Sequence, residues 1–403
     1  MKLPVYMDNH ATTPADPRVV EAMMPYFTER FGNAASHQHR FGWEADGAVE
    51  HARKTIARAI NADSKEIVFT SGATEANNLV LKGVAEALRA KGNHIVTSKT
   101  EHRSVLDVCA VLEKSGFRVS YIDADEHGIV HPESVREAIT DDTVLVSVMM
   151  ANNEIGSIAP IVEIGKLCLE KGVLFHSDAT QAFGKTAVDV RSMNIHLLSM
   201  SAHKMYGPKG IGALYVRSKN PRVRVVQQQD GGGHEQGMRS GTLNVPAIVG
   251  FGRAVEIAMR ELPEESARVA SLRDRLETRL LSIDGVRRNG HSEHRLYSTI
   301  SVTIPFVTAD NLISELKNDV ALSSGSACSS ADRDAGKVSH VLSAIGLDSD
   351  SARCTIRIGL GRFTTVEEVE YVSSKIGDAV ASLRASSPQY QMSKKNESHK
   401  MTA

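Results

Sequence analysis

The sequence predicts an α/β protein of two domains, a large α/β domain followed by a smaller α+β domain. Three observations lead there. Apolar runs of strand length, among them His94 to Ser98 and Val144 to Met150, recur between stretches of helical spacing. The run Gly172 to Asp178 ends in a carboxylate at its carboxyl end, where open α/β sheets place their ligand groups. The chain has 403 residues, more than the roughly 250 to 300 at which a single core stops growing.

Tyr6 to Pro14 is a short entry segment, and helical spacing follows from Val19 to Phe27 and from Trp43 to Ile60. Phe41-Gly42-Trp43 reads as packing surface, not ligand contact. Ile67 to Phe69 is a strand, after which Thr70-Ser71-Gly72-Ala73-Thr74-Glu75-Ala76-Asn77 opens a helix. Small residues there let the backbone approach a ligand while helix-terminal N–H groups point outward, which suits a phosphate. The same pattern also serves as an ordinary capped helix start. His94 to Ser98 leads to Glu101-His102, and Val144 to Met150, read as a continuous buried strand, leads to Asn152-Asn153-Glu154.

Next comes Leu197 to Gly212, in which two apolar segments flank a tight Gly-Pro-Lys-Gly connection carrying Lys204. Taken alone, Lys204 reads as a surface lysine on a turn, and Asp178 reads equally as a helix cap. Together they read differently. Burial and a neighbouring imidazole favour a neutral, nucleophilic amine, and a carboxylate brought beside such a lysine at sheet ends is what a pyridoxal cofactor requires.

The run Gly231 to Gly233, continuing to Thr242, is too polar for a strand and too long for a simple turn, and no nucleotide P-loop motif occurs. A helical pattern from Ala247 to Ile283 is expected to break or kink at Pro263. Ser298 to Ile304 alternates as a half-exposed strand does, and Leu312 to Leu316 resumes helical spacing. Cys328 lies in Ser323-Ser324-Gly325-Ser326-Ala327-Cys328-Ser329-Ser330, continuing through polar Ala331 to Lys337, so a mobile loop and an exposed thiol are expected. Cys109, Cys168 and Cys354 read as buried small hydrophobes.

These blocks resemble one family. His176 to Gln181 (H-S-D-A-T-Q) and Ser201 to Gly210 (S-A-H-K-M-Y-G-P-K-G) are similar to the class V enzymes of the aspartate-aminotransferase fold. S-S-G-S-A-C-S-S resembles the cysteine desulfurases of the IscS/NifS type. The similarity runs from Met1 to about Pro388 and includes D-N-H-A-T-T-P, I-V-F-T-S-G-A-T-E, T-S-K-T-E-H, N-N-E-I-G, G-G-G-H-E-Q-G-M-R-S-G-T and I-R-I-G-L-G-R-F-T. It implies the type I fold of enzymes dependent on pyridoxal 5'-phosphate (PLP). Residues 1–15 would pack with the small domain, 16–255 would form the large cofactor-binding domain with a mixed sheet, and 256–388 would form the small domain with the cysteine loop at about 323–337. Residues 389–403 are polar, lack a period and are expected to be disordered.

The resemblance also implies roles. PLP would form a Schiff base with Lys204, Asp178 would serve the ring nitrogen, His102 would stack on the ring and assist proton transfers, and Gln181 would bond the ring hydroxyl. Ala73, Thr74, Ser201 and His203 would hold the phosphate, with Asn153 beside cofactor and substrate. Arg357 matches the arginine that clamps the substrate α-carboxylate. Thr242 matches a residue that reaches the partner subunit's phosphate, which implies a homodimer. The implied reaction turns L-cysteine into L-alanine and leaves a persulfide on Cys328 for an iron-sulfur scaffold protein, tRNA thiolation and other sulfur acceptors. Cys328 is further implied as a transient iron-sulfur ligand shared with the scaffold. The tail does not match the scaffold-docking segment closely. A selenocysteine lyase or another class V enzyme is the alternative. Lys204, Asp178, His102 and Cys328 occurring together argue against a non-catalytic sulfur-assembly subunit.

Composition narrows the rest. Lys and Arg number 47 against 48 Asp and Glu, which gives no footprint for nucleic acid or an acidic membrane surface. No charged-then-apolar leader precedes Asp8 and no apolar run is long enough to span a bilayer. The four cysteines are scattered without C-x-x-C spacing and the 16 histidines show no metal-ligand spacing. A cytoplasmic enzyme is expected.

Overall fold

The structure is a computed structural model that describes residues 1–325 and 338–401, without the side chains of 396–401. Cys328 and most of the expected cysteine loop therefore lie outside the described residues. The strands in chain order are β1 (Val5–Tyr6), β2 (Ile67–Thr70), β3 (His94–Ser98), β4 (Arg118–Ile122), β5 (Thr143–Ser147), β6 (Leu174–Asp178) and β7 (Leu197–Ser201). They continue with β8 (Gly212–Val216), β9 (Arg287–Arg288), β10 (Thr299–Thr303), β11 (Val320–Ala321), β12 (Ser323–Ser324) and β13 (Thr355–Gly359).

Seven strands form the large sheet in the order β2-β8-β7-β6-β5-β3-β4. Only β8 runs against its neighbours. Both faces are covered, which is why these strands read as continuous apolar runs. Val146, Phe175, Leu198 and Ala213 pack into a cluster on one face with the helix Arg40–Ala59, while Leu145, Leu197 and Leu214 pack on the other with the helices Ala73–Ala87 and Arg103–Lys114. The helix Ile161–Lys171 ends at Gly172, whose φ of 66° is the left-handed stop that lets β6 begin two residues later. The carboxyl ends of β6 and β7 thus present Asp178 and Ser201 at the same sheet edge.

A four-stranded antiparallel sheet, β12-β13-β10-β9, and the pair β1-β11 belong to a second core. That core gathers Val5 and Met7 with Leu272, Leu276, Ile300, Ile356 and Val372. The helix Val245–Leu281 joins the two cores: Ile248, Phe251 and Val255 pack with the large one, Val269 to Leu280 with the small one.

Four expectations need correction. Pro263 lies inside the helix Val245–Leu281, which runs through it unbroken. The carbonyl it deprives of a partner is that of Met259, an exposed residue, so water can satisfy it. Ser298 to Ile304 is not half-exposed: Ser298, Thr299, Ser301 and Thr303 are all buried. Most of their polar face is satisfied internally, Thr299 by His10, Ser301 by Asn289, and Thr303 by Asn289 and Thr355, while the Ser298 hydroxyl has no partner among the described residues. Phe41 and Trp43 are about half exposed, and the Phe41 ring meets exposed Phe31 and the edge of His39 without entering either core. Finally, the segment after Ser387 is a helix, Pro388–Met401. Proline suits its first position, Tyr390 packs on Phe306 with ring centroids 5.6 Å apart, and Lys394 pairs with Asp284 at 2.7 Å. Polar composition concealed a helix tied down by a few side chains.

Candidate active site

A cavity of about 500 Å3 opens at the carboxyl ends of β6 and β7. Its wall includes Ala73, Thr74, His102, Asn153, Asp178, Gln181, Ser201, His203 and Lys204. Nine of the expected positions, drawn from five separate stretches of chain, therefore meet at one place.

One end is built around a carboxylate. Asp178 is buried; its Oδ1 accepts from Thr180 N–H at 2.9 Å and its Oδ2 from Asn77 Nδ2 at 2.8 Å. Asn77 Nδ2 also donates to Ser104 Oγ at 2.8 Å, and Ser104 Oγ lies 2.8 Å from His102 Nδ1. His102 caps the helix Arg103–Lys114, its Nδ1 accepting from Ser104 N–H at 3.1 Å. Nδ1 is therefore the acceptor nitrogen, and the proton of the neutral ring sits on Nε2. Asp178, Asn77, Ser104 and His102 form one continuous polar chain. Close to it, burial pushes the Glu101 carboxyl well above the usual range, with the Asp178 charge adding to this, and Glu101 Oε1 accepts from Met149 N–H at 2.6 Å. Burial also brings the Glu154 carboxyl up to about 7, and its Oε2 accepts from Ser339 Oγ at 2.5 Å.

The other end is cationic. Ser201 closes β7, and a single 3-10 turn, Ala202–Lys204, points His203 and Lys204 toward the cavity. Lys204 Nζ donates to the carbonyls of His10 and Ala11, both at 2.6 Å. Burial, then the Lys204 charge, lowers the His203 imidazole to about 4, so it is neutral at physiological pH; its Nδ1 lies 3.1 Å from Thr12 Oγ1. Facing this end, the helix Ala73–Ala87 begins after Gly72 with no side-chain cap. Gly72 has φ 155°, and a Cβ on Gly212 would fall 2.5 Å from Met200 O and 2.7 Å from Gly72 Cα. Strand β8 thus needs glycine to let the helix start approach so closely. First-turn N–H groups and Ser201 are placed to receive an anion there.

Gln181 joins the two ends. Its Nε2 donates to His10 O at 3.0 Å, and its Oε1 meets His10 Nδ1 at 3.2 Å and Lys185 Nζ at 3.1 Å. Arg357 does not line the cavity. It is buried behind Asn153, donating from Nη1 to Asn153 O at 2.9 Å and from Nη2 to Asp8 at 2.8 Å, while its buried Nε has no partner among the described residues. Thr242 is exposed and lies apart from the cavity. Cys109 and Cys168 are buried, and burial pushes both thiols up to about 12, so neither supplies a thiolate. Among the described residues no cluster of His, Cys, Asp and Glu is arranged to hold a metal, and no helix is long and apolar enough to cross a membrane. Sequence reasoning quoted Asn77 without a role and passed over Ser104, His10 and Lys185. Asn77 lies one helical turn beyond Ala73, a spacing that could have flagged it.

The donor set fits pyridoxal phosphate. A carboxylate at one end, and an amine and a helix start at the other, match its pyridine nitrogen, aldehyde and phosphate, and Gly72 at the helix start keeps open space that a side chain would fill. The sequence matches the aminotransferase class-V family over residues 5–372. It is 54% identical over 395 residues to cysteine desulfurase IscS of Anaeromyxobacter dehalogenans (strain 2CP-C), covering 98% of this chain and 96% of that one. It is 50% identical over 396 residues to cysteine desulfurase IscS of Shewanella sp. (strain MR-4), covering 98% and 97%. Among solved structures, a NifS-like protein superposes with a TM-score of 0.87 at 37% identity, covering 94% of this chain and all of that one. The chain belongs to the class V aminotransferase family, whose members use pyridoxal phosphate, and within it is similar throughout to the IscS-type cysteine desulfurases.

Proposed function

We propose that this protein is a cysteine desulfurase that turns L-cysteine into L-alanine and keeps the sulfur as a persulfide on Cys328. The observation that carries this reading is the meeting of Asp178, Lys204 and the uncapped helix start around one cavity in a chain so similar to IscS enzymes. When bound, pyridoxal phosphate supplies the electron sink that weakens bonds to the substrate carbon. Lys204 Nζ would hold the cofactor aldehyde, Asp178 would hold a proton at the ring nitrogen, and Gln181 would serve the ring hydroxyl. His102 lines the cavity with Nδ1 engaged by Ser104, and its Nε2 would serve proton transfer. Asn153 positions the substrate, and Arg357, with Nε unspent, serves its carboxylate. The Cys328 thiolate then attacks the substrate sulfur: an S–S bond forms, the Cβ–S bond breaks, and the electron pair left on carbon takes a proton to give alanine.

Thr242 is assigned to the phosphate of a second subunit, and the exposed Phe27, Phe31, Phe41 and Trp43 supply an apolar face of the kind a homodimer covers. The sulfur acceptors are assigned as an iron-sulfur scaffold protein and other carriers, in the cytoplasm. Cys328→Ser is the test. This variant should retain the lysine-bound cofactor and its spectral response to L-cysteine, yet form no persulfide and lose turnover by about 1,000-fold. Normal alanine production would refute Cys328 as the nucleophile.

A further inference from the structure

Behind the wall that carries Lys204 lies a second lysine that the cofactor reading does not use. Lys185 is buried, four residues beyond Gln181, and its Nζ donates to Gln181 Oε1 at 3.1 Å. An ammonium only donates and a backbone carbonyl only accepts. Lys185 on Oε1 and His10 O on Nε2 therefore fix which way the Gln181 amide faces. The same His10 carbonyl accepts from Lys204 Nζ. The two amines are thus tied to one small set of acceptors, and two ammonium ions so placed in a desolvated wall repel each other. Five groups face Lys185: Lys204 and Arg357 oppose its charge, Glu265 favours it, and the imidazoles of His10 and His203 feel it.

We propose that Lys185 is a positioning residue for Lys204: the two amines hold protons as a pair through Gln181 and the His10 carbonyl, so that positive charge on Lys185 Nζ makes Lys204 Nζ easier to deprotonate. The carbonyls of His10 and Ala11 favour an ammonium at Lys204, and the charge at Lys185 is the opposing influence. Burial, then the charge of Lys204, brings the Lys185 amine down to about 7, so the proton count of the pair changes near neutral pH. The functional consequence rests on the reading of Lys204 as the cofactor-linked lysine, but the measurement does not.

The test is competitive acetylation of Lys204 with trace acetic anhydride against pH, read by peptide mass spectrometry on the full-length chain stripped of cofactor. Wild type is compared with Lys185→Met, which removes the charge, and Lys185→Arg, which makes it permanent. The midpoint at Lys204 should rise by about one pH unit in the Met variant and fall below wild type in the Arg variant. Shifts of the same sign in both, or in neither, would overturn the proposal, because lost packing cannot produce opposite signs. If the Met variant does not fold, Lys185→Gln takes its place with the same expected direction. In the holoprotein the visible band of the lysine-bound cofactor should titrate in the same order. An ordered acetylation result with no such band would sink the cofactor reading and leave the Lys185 pairing standing; a band without the order would do the reverse.

Discussion

The two ends of the cavity solve opposite electrostatic problems. At the carboxylate end, Asp178 accepts from neutral donors, Asn77 and the Thr180 N–H, and burial holds the nearby Glu101 carboxyl well above the usual range, which disfavours a second negative charge there. At the lysine end, Lys204, Lys185 and Lys209 gather, and the imidazoles of His10 and His203 are driven neutral by burial and by those charges. A cavity polarised in this way favours an elongated ligand with its anion toward the lysines and a protonated nitrogen toward the aspartate. Specificity for orientation is written in the field as much as in the shape.

The sharpest way to break this contrast is to neutralise the carboxylate end. Asp178→Asn keeps the shape but cannot hold a proton on a ring nitrogen, so turnover should fall by about 100-fold or more while the lysine-bound cofactor band persists. Retention of wild-type turnover would remove Asp178 from the chemistry. A smaller effect is expected from Asn77→Ala, which leaves Asp178 Oδ2 and Ser104 Oγ without their shared donor. One lost hydrogen bond to a charged group is worth about 1.5 to 3 kcal/mol, so roughly a tenfold to hundredfold loss in kcat/KM should follow. An unchanged value would mean that the chain from Asp178 to His102 has no catalytic consequence.

Glu154 sharpens the comparison through pH. Its carboxyl is raised by burial to about 7, so the folded state resists the ionisation that the unfolded chain completes near 4.5. Stability from this group is whole below 4.5 and is lost as pH rises toward 7. Glu154→Gln keeps an acceptor for Ser339 Oγ and removes the titration. The variant should therefore gain on wild type by about 2 kcal/mol between pH 5 and pH 8, read as a widening difference in Tm. A constant difference across that range would contradict the assignment.

Much of this was legible in the sequence, for physical reasons that differ by region. Strands β3, β5, β6, β7 and β8 announce themselves because both faces are buried, and apolar side chains then leave no alternation to misread. Strand β10 misled because its polar face is buried against partners supplied by His10, Asn289 and Thr355, and only assembly reveals them. The site residues that stood out, such as Lys204 and Asp178, occur in compact motifs. Asn77 and Lys185 did not stand out. Asn77 meets Asp178 across 101 residues of chain, and Lys185 matters through Gln181 and the carbonyl of His10, a further 171 residues away. Local pattern shows where chemistry sits, whereas the groups that tune it are joined only by folding.

The most direct measurement is borohydride reduction of the cofactor-loaded protein, followed by peptide mapping. Reduction fixes the cofactor covalently to whichever amine carries it. A polarised cavity with its amine at the end of the 3-10 turn predicts a single pyridoxyl label on half-buried Lys204 and none on Lys185, which is buried behind the same wall. Label on Lys185, or no modified lysine at all, would contradict the account.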